Sequence, residues 1–240
     1  MSTEYQFTKE NLDTCFRALA KEYRRLIGKN MPAELTLIGG ASVLANYGFR
    51  DATYDIDAII EGASAMRDAI TKVGDDLGLP AGWLNSDFKN TSSYTPRLLE
   101  HSIYYKTFSN VLTVRTISSE YLVAMKLMSS RKYKNDISDI AGILAEQKKS
   151  GRPLSIDSIR NAVIELYDSW EKIPAGSRQL VESIIQNDNP EELYEIYRSE
   201  EKASKDTLID FEQEYPGVTN VDNVNDILMS LKNRKKESNL

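Results

Sequence analysis

Two aspartates one residue apart, Asp55 and Asp57, stand in the isoleucine-rich run 54–60 (YDIDAII). In an extended strand, residues i and i+2 project from the same face, so the two carboxylates point together while Tyr54, Ile56 and Ala58 point the other way. Like charges at that spacing repel unless a cation lies between them. Mg²⁺ suits the pair: it takes hard oxygen ligands at about 2.0–2.1 Å, accepts one or two carboxylates and completes its octahedron with water and substrate phosphates. Upstream, Gly39-Gly40 closes an apolar run and Ser42 follows. Glycine lacks the Cβ that would keep a phosphate off the backbone. The start of the next helix offers unpaired N–H groups and roughly half a positive charge, and the Ser42 hydroxyl adds a donor. A triphosphate held between that helix start and a carboxylate-bound ion has its α-phosphorus open to in-line attack.

The elements that must position these residues follow from the pattern of apolar side chains. Leu12, Cys15, Phe16, Leu19, Tyr23 and Leu26 recur at three- and four-residue steps, which predicts a helix over 8–28 ended by Gly28 and Asn30. A buried strand over 34–38 (ELTLI), a helix over 41–47, the acid-bearing strand over 54–60 and an amphipathic helix over 64–77 come next. Runs 102–108 and 111–117 meet at Ser109-Asn110 and read as a hairpin. Ser118 or Ser119 caps a helix over 120–130, and another helix spans 136–148. Strand signals stop at Gly151-Arg152-Pro153, after which helical periodicity recurs over 156–170, 177–185, 190–211 and 221–231. The organisation expected is a core over 1–152 and a helical C-terminal region over 153–240.

Gly39-Gly40 followed by Asp55-Ile56-Asp57 resembles the Gly-Gly/Ser and Asp-x-Asp signature of the nucleotidyltransferase superfamily, the polymerase β-like fold. With Arg50 and Thr53 ahead of the acids, the string is similar to the AbiEii-type nucleotidyltransferases, a group that includes toxins of bacterial toxin–antitoxin systems. Segment 120–144 (EYLVAMKLMSSRKYKNDISDIAGIL) resembles that family's second motif, a lysine on one helix and aspartates opening the next. The two matches bracket residues 34–144 in the right order. The resemblance implies an α/β (α+β) fold, a mixed sheet flanked by helices. It implies Asp55 and Asp57 as catalytic metal ligands for Mg²⁺ or Mn²⁺, and Gly39, Gly40 and Ser42 as the nucleotide-phosphate cradle. Lys126 and Asp139 become active-site residues, with Asp136 the competing match. Arg50 is assigned a phosphate contact and Thr53 a hydrogen bond ordering the acid-bearing strand. The implied substrate is an NTP, and the acceptor hydroxyl belongs to RNA such as tRNA, a protein or a small molecule. A toxin role would add a cognate antitoxin as partner.

Many superfamily members carry a third acid on a later strand, and the run VLTVRTI has none; its Arg115 is a candidate phosphate contact instead. That departure keeps open a rival reading, a catalytically inactive member of the fold that binds a nucleotide or a protein. Lys126, in the apolar run LVAMKLM, needs a partner because an unpaired buried charge is costly, so an ion pair to Asp136 or Asp139 stands beside a catalytic role.

Thirty basic against thirty-six acidic residues give a net charge of −6, which argues against polyanion binding through bulk charge. One cysteine, Cys15, and one histidine, His101, exclude an internal disulfide and a zinc site of the usual ligands. No apolar run of about 18 residues exists, and the opening MSTEYQFTKE has no leader pattern, so a cytoplasmic protein that does not enter a membrane is expected. The acidic stretch 191–201 (EELYEIYRSEE) reads as a helix with a solvated face or a docking face. The end 231–240 (LKNRKKESNL), with Lys232, Arg234, Lys235 and Lys236, reads as a frayed basic tail.

Overall fold

The computed structural model describes residues 5–131, 133–220 and 223–237, with side chains up to 234. Among them, five strands form one mixed sheet in the order β3-β2-β1-β5-β4. The strands are β1 (Ala33–Leu37), β2 (Ile56–Glu61), β3 (Leu84–Asn85), β4 (Ser102–Phe108) and β5 (Leu112–Ile117). The central pair β1 and β5 runs parallel, β2 lies antiparallel to β1, and β4 lies antiparallel to β5. The short β3 pairs parallel with β2 at its outer edge, setting Asn85 beside Asp57. Ser109 and Asn110 take φ of 51° and 53°, the left-handed pair that a tight two-residue hairpin turn requires, so β4 and β5 join as the sequence predicts.

Strand alternation gives the sheet two buried faces. On one, Leu35, Leu37, Ile56, Ala58, Leu112 and Val114 pack with α1 (Lys9–Ile27) and α3 (Ala65–Leu77). On the other, Ile38, Ile59 and Ile117 pack with α4 (Ser119–Ser129), α5 (Asp136–Lys149), α6 (Ile156–Tyr167) and α7 (Ala175–Gln186). The second cluster therefore runs on through helices that follow Pro153. The short α2 (Gly39–Asn46) leaves β1 directly and feeds side chains into both clusters, Leu44 into the first and Val43 into the second.

Long α8 (Pro190–Glu214) lies along α5, and α9 (Val224–Glu237) folds back on it. The acidic stretch forms part of α8 with Glu191, Glu192, Glu195 and Glu200 exposed, as expected of a solvated face, while its opposite face is pinned to the core. Tyr194 and Glu201 are buried, and the Tyr194 hydroxyl donates to the carbonyl of Phe49 at 2.7 Å. Arg198 donates to the Tyr194 hydroxyl at 2.7 Å and pairs with Asp51. Helix α9 continues through Glu237, so most of the expected tail is helical, while residues 221–222 and 238–240 and the side chains of Lys235 and Lys236 lie outside the described residues. Among the described residues no helix is long and apolar enough to cross a membrane.

Candidate active site

Helix α2 begins at Gly39, two residues before its expected start, so both glycines lie in its first turn. Its N-cap is Ile38, whose side chain has no hydrogen-bonding group, so the first-turn N–H groups receive no side-chain cap. Gly39 takes φ 55°, a conformation that favours glycine, and a Cβ placed there would stand 3.8 Å from Oδ2 of Asp57. The helix start and the acid-bearing strand therefore face each other across a narrow gap.

Asp55 lies in a bend just before β2 and is exposed, while Asp57 is the second residue of β2 and half-buried. Strand β2 is thus shorter than 54–60, and Tyr54 turns outward instead of joining Ile56 and Ala58. Asp55, Asp57 and Gly39 nevertheless line one cavity of about 200 Å³. Burial, and behind it the charge of Asp55, push the Asp57 carboxyl up to about 6. Arg131 and Lys134, from the loop joining α4 and α5, also line this cavity and partly offset the acids. Burial and the neighbouring Arg131 push the Lys134 amine down.

A third acid, Asp87, lines the same cavity. The strand VLTVRTI, which carries no acid, is β5 and sits beside β1; the strand flanking β2 is β3, and Asp87 follows it by two residues in a short 3₁₀ turn. A two-residue strand carries no readable periodicity, which is why pattern reading passes over it. Arg115 is held by Ser102 at 2.7 Å and by Glu34 at 3.7 Å and does not line the cavity.

The second-motif residues form a buried charge network behind the cavity wall. Lys126 Nζ lies 2.8 Å from Asp136 Oδ1 and 2.8 Å from Asp139 Oδ2. Arg50 pairs with Asp139 at 2.5 Å, and Arg131 pairs with Asp136 at 2.9 Å. Burial alone would raise the Asp136 carboxyl, but Lys126 and Arg131 outweigh it and hold it far below the usual range. Burial would lower Lys126, but the two aspartates outweigh it and raise the amine. Lys126 and Asp136 line the cavity, whereas Asp139 faces Arg50 behind it.

Three expected phosphate contacts lie elsewhere. Ser42 is fully buried, and its Oγ accepts the N–H of Ile117 at 3.0 Å, tying α2 to β5. Gly40 lies beneath Arg50 and Thr53: a Cβ there would stand 2.7 Å from Arg50 Nη2 and 2.8 Å from Thr53 Oγ1. The missing side chain at 40 thus makes room for the protein's own residues, while Gly39 faces the cavity. Arg50 and Thr53 line a second, adjoining cavity instead. His101 stacks on Tyr121 at 3.6 Å and does not line the cavity.

Residues 14–172, about two thirds of the chain, match the family described as nucleotidyltransferase of unknown function (DUF6036). The chain belongs to this nucleotidyltransferase family. No curated protein and no solved structure matches it. The match agrees with the superfamily resemblance and does not single out the AbiEii-type group. In this nucleotidyltransferase the matched span contains the glycine pair, the four cavity aspartates Asp55, Asp57, Asp87 and Asp136, and the rest of the buried network, while α8 and α9 lie beyond it.

The donor set suits a hard divalent ion shared with a substrate. Among the described residues no group of three or more His, Cys, Asp and Glu side chains is close enough to enclose a metal by itself. Asp55 and Asp57 supply carboxylate oxygens at a site where burial and the charge of Asp55 push the Asp57 carboxyl up to about 6. A divalent ion held by these two carboxylates would relieve the repulsion between them.

Proposed function

We propose that this nucleotidyltransferase moves a nucleoside monophosphate from an NTP to an acceptor hydroxyl, with Asp55 and Asp57 holding Mg²⁺ or Mn²⁺. The observation that carries the reading is the meeting, in one polar cavity, of both aspartates, the glycine that opens α2, and the cations Lys126, Arg131 and Lys134. When bound, the ion supplies Lewis-acid polarisation of the α-phosphoryl group. The first-turn N–H groups of α2 hold the β and γ phosphates. Arg131, Lys134 and Lys126 offset the charge that builds on the leaving group, an electrostatic term that is often the largest in such reactions. The acceptor oxygen forms a bond to the α-phosphorus and the bond to the bridging oxygen breaks. Pyrophosphate leaves with that electron pair, and Asp87 takes the hydroxyl proton.

In this reading residues 1–152 form the catalytic core, and 153–240 brace it through α8. Asp139 and Arg50 act by fixing Lys126 and the opening of α5. The acceptor is an RNA end, a protein hydroxyl or a small molecule, and the enzyme works in the cytoplasm. The narrower likeness to AbiEii-type toxins, carried by Arg50, Thr53 and the second motif, extends the proposal to a bacterial toxin with a cognate antitoxin; growth arrest on expression, relieved by Asp57→Asn, tests that extension.

The test of the core reading is incubation with α-labelled NTP, Mg²⁺ and tRNA or cell protein. Transfer of label that Asp57→Asn abolishes is the expected result. Metal-dependent NTP binding without transfer to any acceptor would favour the inactive binding module.

A further inference from the structure

The catalytic cavity is too small for a whole nucleotide. At about 200 Å³ it falls below the roughly 300–1,000 Å³ of sites that enclose complete small ligands. A second cavity of about 530 Å³ adjoins it, and the two share Asp55 and Lys134 on their walls. The floor of this second cavity is apolar: Leu208 and Val224 belong to a small buried cluster that Tyr133 packs against. Its mouth carries the half-exposed Tyr54 and Ile209. Lys205 Nζ lies 4.4 Å above the Tyr54 ring, so a cation and an aromatic face are presented together. Arg50 and Thr53 add polar atoms on the side nearest α2.

An apolar floor with polar groups beside it, adjoining a small polar cavity, suits a flat ring joined to a phosphate chain. We infer that the second cavity receives the base and ribose of the same NTP whose phosphates lie between Asp57 and the start of α2. The inference rests on the phosphate-site reading above and goes beyond it by assigning nucleoside recognition to Tyr54, Lys205, Leu208 and Ile209. Three of these lie on α8, outside the matched family span, so this face of the site is built by the C-terminal helices.

Calorimetry with Mg²⁺ and either an NTP or inorganic tripolyphosphate separates the two claims. Wild-type protein is expected to bind at least one of ATP, GTP, CTP and UTP about tenfold or more tighter than tripolyphosphate, the size of one stacked base. Ile209→Trp, which fills the mouth from an exposed position, and Tyr54→Ala each remove that advantage while leaving tripolyphosphate affinity unchanged. If tripolyphosphate binds and both variants keep wild-type NTP affinity, the cavity serves something else, the acceptor included, and the inference is overturned while the phosphate site stands. If wild-type protein binds no tripolyphosphate, the phosphate-site reading fails and the inference falls with it.

Discussion

Glu201 of α8 accepts the backbone N–H of Ile137 in the first turn of α5 at 2.8 Å, and its other oxygen accepts that of Ser138 at 3.3 Å. A helix start that carries Asp136 and Asp139 is thus capped from a distant helix, while its own N-cap residue, Asn135, makes no side-chain cap. Removing this carboxylate leaves two buried donors unpaired, at about 1–3 kcal/mol each. Glu201→Ala is expected to lower the urea midpoint at unchanged slope and to weaken any transfer activity through the displaced α5.

The same residue sets a pH dependence. Burial pushes Glu201 up from 4.5 to about 7, against the pull of the two N–H groups. A carboxyl raised in the folded state binds protons there that it has released in the unfolded chain, so stability falls as pH rises between those values. The Tm of wild type relative to Glu201→Gln should decline from 4.5 to about 7 and then level off. A flat difference would show that Glu201 titrates in the folded protein as it does in the unfolded chain.

Asp57 follows the same sign. Burial and Asp55 raise it from 3.8 to about 6, so its ionised form is disfavoured in the metal-free fold. In chelator, Asp57→Asn should be more stable than wild type above about 6, and the gain should vanish near 3.8. Added Mg²⁺ should raise the Tm of wild type and leave the variant unmoved.

Lys126 is the shared partner of two buried aspartates. Breaking a buried pair by removing one member costs about 3–5 kcal/mol, since the remaining charge keeps its desolvation penalty. Lys126→Met is expected to lose stability on that scale in urea titration, so its activity has to be measured at a temperature where far-ultraviolet dichroism shows it folded.

Ser42 and Gly40 distinguish architecture from ligand contact. Ser42→Ala leaves the Ile117 N–H buried without its acceptor and should cost about 1–3 kcal/mol while NTP affinity is retained. Gly40→Ala drives a methyl against Arg50 and Thr53. It should destabilise by about 1–3 kcal/mol through overpacking and loosen the Arg50–Asp139 pair. A loss of NTP binding by Ser42→Ala at full stability would restore the phosphate role that the sequence suggests for that hydroxyl.

The local signals in the chain determined most of the frame. Apolar periodicity marked α1, α3, α4 and α5, turn chemistry placed the hairpin at Ser109-Asn110, and the glycine pair and the two aspartates carried the resemblance to the nucleotidyltransferase superfamily, because each of these signals is local. Tertiary structure decided what distance along the chain conceals. It set β3 rather than β5 beside β2, which brings Asp87 to the cavity; it turned Ser42 inward and laid Arg50 over Gly40. It also folded the acidic stretch of α8 back so that Glu201 caps α5 and Tyr194 holds the loop before Asp55. The physical reason is that strand pairing and helix capping match a donor to whatever acceptor the packed core brings near, and neither the order of strands in a sheet nor a cap from a remote helix leaves a period in the sequence.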